Sequence, residues 1–151
     1  MRTVIHQRSV AQRGSILLEG LIAILIFSVG ILAIVGLQAT AIKNSADAKY
    51  RGDASYLANQ IIGQMWADRS NLATYANFDG AGNTCYWTGT ASANPNVISW
   101  LAEVGSAIPS TGTIKQQIHI GAFNQVAVTV CWQSPKDNVL HNFVAVAQIN
   151  G

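Results

Sequence analysis

Charge is scarce in this chain. Only 11% of its 151 residues are Asp, Glu, Lys or Arg, against roughly a quarter in ordinary soluble domains. Nine basic residues face seven acidic ones, leaving a net charge of +2. That balance argues against a nucleic-acid module built on a dominant basic face. Cysteine is almost absent too. Two residues cannot fill a four-ligand zinc site without His or carboxylate help, although they can form one disulfide. There is no Cys-x-x-Cys, and His6, His119 and His141 are too scattered to suggest a metal site. No phosphate-binding glycine loop stands out, Gly80-Ala-Gly82 being far too short a pattern. Nor do a nucleophile, a base and an orienting acid fall into a catalytic arrangement. The expectation is a non-enzyme with no cofactor and no metal.

What the chain has in excess is apolar surface. Half of its residues are hydrophobic and its mean hydropathy is +0.26. The wealth of Val, Ile and Leu excludes disorder and points to a segment buried in a membrane or an assembly. The distribution locates it. Residues 1–14 carry Arg2, Arg8 and Arg13 and no acidic residue, whereas residues 20–42 carry no charge at all. Those 23 residues would span roughly 35 Å as a helix, enough to cross a hydrocarbon core of about 30 Å. Lys43, Lys49 and Arg51 follow the span and nearly balance the leading arginines, so the positive-inside rule orients the helix only weakly. Without the first 14 residues, six basic side chains would face seven acidic ones. The basic excess therefore belongs to the leader.

An ordinary secretory signal peptide would also have a basic start and an apolar stretch, and Ala39-Thr40-Ala41 has the small-x-small form of a cleavage site. The apolar stretch is longer than such peptides use, and it opens on a carboxylate, Glu19. A plain membrane anchor meets the same difficulty, because a carboxylate at the apolar end needs a partner or a proton.

Gly14-Ser-Ile-Leu-Leu-Glu19-Gly-Leu-Ile-Ala, after a short basic leader and before a long apolar run, resembles the type IV prepilin signature. The resemblance covers about the first 30 residues. It implies that prepilin peptidase cuts between Gly14 and Ser15 on the cytoplasmic side and methylates the new amine of Ser15. Glu19 lies four residues beyond Ser15, on the same face of the first helical turn, where the helix dipole favours a carboxylate. In a filament, Glu19 of one subunit would neutralise the amine of Ser15 on a neighbour, a register device made from a costly buried charge. Two departures from the family stand out. Ser15 replaces the usual Phe or Met, and the apolar helix lacks the proline of many major pilins. Gly30 and Gly36 sit in that neighbourhood, each costing roughly 1 kcal/mol against alanine in a helix, and leave open either local melting or close packing.

Beyond residue 42 the stripe Ile42, Ala46, Tyr50, Leu57, Ile61 and Met65 predicts that the helix continues to about Leu72, a rod of roughly 85 Å in all. Its first half would then project from any compact domain. Residues 73–93 read as a surface loop containing Cys85-Tyr86-Trp87. Asn94-Pro95 reads as an N-cap with proline in the first turn, opening a helix that carries Val97, Leu101, Val104 and Ile108 on one face until Pro109. Ile118 and Ile120, then Val126, Val128, Val130 and Trp132, alternate as strands. Ser134-Pro-Lys-Asp-Asn138 predicts a turn, and residues 139–149 the return strand. The expected fold class is α+β: the type IV pilin fold, a long N-terminal helix whose membrane-spanning first half is free and whose second half packs on a small antiparallel sheet. The expected organisation is a basic leader at 1–14, a transmembrane or filament-core helix at 15–42, and a periplasmic or extracellular domain at 43–151.

In an extracytoplasmic domain Cys85 and Cys131 are expected to be oxidised to one structural disulfide. His119 and His141 are expected on strand faces or ends, and the four tryptophans in the core or at its edge. From Trp100 through Ile108-Pro109 to Cys131-Trp132, and over residues 30–38, the sequence is similar to the minor pilins of the PilV kind. That similarity implies a low-abundance subunit that joins other minor pilins to prime pilus assembly, in support of twitching motility and adhesion. Its implied partners are prepilin peptidase, the other minor pilins, the major pilin and the inner-membrane assembly platform. It would be held by the membrane before assembly and carried afterwards to the cell surface. Two alternatives share the leader, Glu19 and the helix: a pseudopilin of type II secretion, and an adhesin or receptor subunit of the pilus. A DNA receptor is disfavoured, since after Leu72 only Lys115 and Lys136 stand against Asp79, Glu103 and Asp137.

Overall fold

The computed structural model describes residues 13–135 and 139–150. The leader up to residue 12, with His6, and Lys136-Asp-Asn138 of the expected turn lie outside the described residues. The chain divides into two compact units between Asn44 and Ser45.

The first unit is helix. α1 runs Arg13–Ala67, and no proline interrupts it. Every residue from 15 to 45 is exposed, among them Leu17, Leu25, Phe27 and Leu37. A helix apolar on all sides is stable only where something other than water surrounds it.

From Ser45 the same helix acquires one buried face. Ala54, Leu57, Ala58, Ile61, Ile62 and Met65 are buried and Tyr50 packs beside them, the spacing that places side chains on one stripe. Each large aliphatic buried there contributes about 1.5–3 kcal/mol. The α-helix stops at Ala67, short of the expected Leu72. Arg69–Tyr75 is a 3-10 turn in which Asn71 leaves helical geometry, its amide donating to the Asp68 carboxylate at 2.7 Å. Short polar side chains that bond locally compete with the helix in this way. The turn still buries Leu72 and Tyr75.

Residues 73–93 are more ordered than the expected surface loop. β1, Gly82–Asn83, and β2, Tyr86–Trp87, form a two-residue hairpin with Cys85 at its tip in left-handed geometry, φ 72°. A Cβ on Gly82 would lie 2.7 Å from the Tyr86 carbonyl oxygen. The glycine pattern at 80–82 thus serves close strand approach. Asn77 is fully buried. Its side chain donates to the Gln116 carbonyl at 2.7 Å and accepts from the Ser92 N–H at 3.0 Å.

α2, Pro95–Ala107, starts as its sequence predicts: the Asn94 side chain accepts from the Asn96 N–H at 2.9 Å and proline occupies the first turn. Val97, Trp100 and Val104 are buried, and Trp100 Nε1–H donates to the Leu57 carbonyl at 2.8 Å, fastening α2 to α1. Three strands follow: β3 (Gln117–Ile120), β4 (Gln125–Gln133) and β5 (Leu140–Gln148). They form an antiparallel meander in the order β3-β4-β5. Val126, Val128, Val130 and Trp132 on β4 join the helical core. Thr129 and Cys131, on the opposite face, are buried as well. Cys131 there joins Cys85, Trp87 and Ile114 in a second small cluster. The layout is α+β, with a long apolar N-terminal helix and a small antiparallel sheet.

Candidate functional site

Three features carry chemistry in this chain: the start of α1, the exposed apolar run, and the disulfide. Gly14 and Ser15 lie inside α1, so the bond between them has helical backbone. Ser15 and Glu19 share one face a turn further on. Among the described residues Glu19 has no ion-pair or hydrogen-bond partner. It is the one ionisable side chain between Ser15 and Ile42.

The polar groups inside the run are handled differently. Ser28 Oγ donates to the Ile24 carbonyl at 2.7 Å, and Thr40 Oγ1 to the Gly36 carbonyl at 3.2 Å. Both hydroxyls are satisfied within the helix itself, as a segment in lipid requires. Gly20, Gly30 and Gly36 have open space where a Cβ would stand, and α1 passes through them without a break. One helix near the N-terminus is therefore long and apolar enough to span a membrane.

Cys85 and Cys131 form a disulfide with Cα atoms 5.8 Å apart. It fastens the β1–β2 tip to the outer face of β4. Beside it a partner for Cys131 comes from a side chain. Gln116 Oε1 accepts from the Cys131 N–H at 2.6 Å, and Gln116 Nε2 donates to the Cys131 carbonyl at 3.1 Å. A single amide completes the ladder where β3 has ended. Sequence reasoning passed over both Gln116 and Asn77. An amide in a polar stretch carries no periodic signal, and their partners lie 15 and 39 residues away.

The histidines occupy strands. His119 on β3 bonds Asp79. His141 on β5 stacks on Trp132, ring centroids 5.6 Å apart, with Nδ1 3.6 Å from Asp47. Among the described residues no three metal-ligating side chains come together. Trp100 and Trp132 are core, Trp87 lies in the second cluster, and Trp66 is 44% exposed. Lys49 has its pKa raised by a hydrogen bond to Asp53 at 3.0 Å and by that carboxylate's charge, an exposed i,i+4 pair on the helix surface. Two open depressions in the globular unit measure about 210 and 300 Å³; the latter is lined by Phe78, Leu101, Ile114 and Lys115 among others. Neither gathers the convergent polar groups of a small-molecule site. The chain matches no known family model, no curated protein and no solved structure.

Proposed function

We propose that this chain is a minor pilin: a low-abundance subunit that leaves the membrane to join a type IV pilus after prepilin peptidase processes it at Gly14–Ser15. The observation that carries the reading is Glu19, a lone carboxylate one turn beyond Ser15 in a helix whose next 23 residues are uncharged and exposed. A soluble domain has no use for that arrangement, and a permanent anchor is weakened by it. A filament core uses it, because the amine that cleavage would create on a neighbour's Ser15 neutralises the charge and sets the register. The bond to be cut lies in helix, so the peptidase has to unwind the first turn to reach it. The disulfide-tied globular unit fits the oxidising side of the membrane. Partners on this reading are the peptidase, the other minor pilins, the major pilin and the assembly platform.

The test is the intact mass and N-terminal sequence of the chain from cells with and without the peptidase. A start at methylated Ser15, only when the peptidase is present, is the expected result. A start at Ile42 means a conventional signal peptide, and an intact Met1 means a simple anchor. Either would end the proposal. Loss of pili on deletion separates the priming role from a pseudopilin, whose loss would stop protein secretion instead.

A further inference from the structure

The polar side chains of the apolar run are not equivalent. Between residues 20 and 42 they are Ser28, Gln38 and Thr40. Ser28 and Thr40 bond carbonyls of their own helix, at Ile24 and Gly36. Gln38 does not. Among the described residues its amide has no hydrogen-bond partner, and the residue is exposed. An amide left unmet in an apolar medium is strongly disfavoured. Reaching back to water is a poor remedy here. Gln38 lies four residues before Ile42, about 6 Å inside the end of the run. Helical side chains lean toward the helix N-terminus, which carries the amide away from Lys43 and deeper into the run.

Gln38 also selects a face. On a helix apolar all round, spacing alone picks none. Counted back from Gln38 in alternating steps of four and three, Ile34, Ile31, Phe27 and Ile24 share its side, with Ala41 one step beyond. All are exposed. Such steps make the seam of a left-handed helix pair, with isoleucine at two a positions, 24 and 31, and glutamine at the third. Gly30 flanks the seam and has open space where a Cβ would stand, so a second backbone can come close. Glu19 lies about 100° round the helix from Gln38, and the pairing proposed for it is left free.

We infer that residues 24–41 form a parallel pair with a second copy of this chain, the two Gln38 amides bonding each other across the seam. The occupant follows from the amide itself. It donates through Nε2 and accepts through Oε1, so it is complementary to its own kind. A second copy brings that group at the same height and on the same face by construction, whereas any other partner needs a polar side chain placed there. The direction follows too. A copy running the opposite way, matched run to run, would set Gln38 against Ile24 and leave both amides unmet. A lone polar residue at one a position fixes the register of such pairs. The inference needs only an apolar medium around residues 20–42 and does not rest on the filament-subunit reading.

Cysteine cross-linking of the full chain, purified into vesicles of phosphatidylethanolamine and phosphatidylglycerol, tests this. Both native cysteines are held in the disulfide, so an added one is the free thiol. Ala41→Cys stands on the seam and should give a covalent dimer under mild oxidation with copper phenanthroline. Ala39→Cys, off the seam, should give little. Adding Gln38→Leu to Ala41→Cys keeps the helix apolar and inserted, and should raise the protein-to-lipid ratio at half cross-linking by about tenfold. Gln38→Asn keeps a self-complementary amide and should restore most of the yield. Equal yields at 39 and 41, or a midpoint that Gln38→Leu leaves in place, overturns the inference. So does Ala41→Cys in native membranes joining a chain of different mass in place of the dimer, which would assign the seam to a different subunit.

Discussion

Replacing Gln116 with leucine tests whether one side-chain amide substitutes for a strand. Gln116 is 7% exposed and leucine is close to it in volume, so little is lost in packing. What disappears is the pair of bonds to Cys131, at 2.6 and 3.1 Å, and both backbone groups of Cys131 are then left buried without a partner. Each such orphan costs about 1–3 kcal/mol. With some return from the apolar side chain, the expected destabilisation is about 2–4 kcal/mol. For a unit of this size that lowers the melting temperature by about 10–20 °C. Gln117→Leu is the internal control. Its amide bonds Phe78 and Gly80 at 3.1 and 3.4 Å from a part-buried position, where water can take over, and the loss should stay within about 1 kcal/mol. The assay is thermal or urea unfolding of the full chain in mild detergent, followed by tryptophan fluorescence. Equal midpoints for the two variants would refute the claim that Gln116 completes the ladder.

Three further outcomes follow from the same geometry. Cys85→Ser with Cys131→Ser opens a link spanning 46 residues and should cost about 4 kcal/mol in the chain-entropy model; an unchanged urea midpoint would show that the second cluster closes without it. Gly82→Val should destabilise the hairpin by about 1–3 kcal/mol, because its Cβ would meet Tyr86 and Trp87 backbone at 2.7 and 2.8 Å, and circular dichroism melts would register the loss. Glu19→Ala should leave cleavage intact and abolish incorporation into sheared surface fibres on immunoblots; normal incorporation would remove the pairing role of Glu19.

Periodic signals were readable from the chain alone. The alternation Val126, Val128, Val130, Trp132 marks β4, the stripe through Leu57, Ile61 and Met65 marks the buried face of α1, and Asn94-Pro95 marks the start of α2. Each reports a local rule that holds whatever the rest of the chain does. Illegible features depend on distant partners. Thr129 and Cys131 fall on the polar side of the β4 alternation yet are buried, Cys131 because Cys85, Trp87 and Ile114 come together over it. Asn77 and Gln116 look like loop residues until the strands they complete are in place. The end of α1 at Ala67 turned on Asn71 bonding Asp68, a competition that a hydrophobic stripe does not register. At the candidate site, Gly14, Ser15 and Glu19 are singled out by a sequence motif alone, whereas the Gln116 clasp on Cys131 shows only in the folded chain.

The second cluster is small: Cys85, Trp87, Ile114 and Cys131, with Phe78 and Leu140 beside them. Among the described residues the main core holds eighteen buried side chains, and none of them is a cysteine. The cover that the 78–90 stretch lays over Cys131 draws more on oxidation, because half of the buried members of its cluster are the two sulfur-bearing residues. Stability is thus divided: the body of the unit owes nothing to oxidation, and the cover over β4 gains from it. With both thiols reduced, the stretch around the hairpin is expected to be the first part of the unit to open, and limited proteolysis would report it. On the minor-pilin reading, the cross-link would then mark those chains whose globular unit has reached the oxidising side of the membrane.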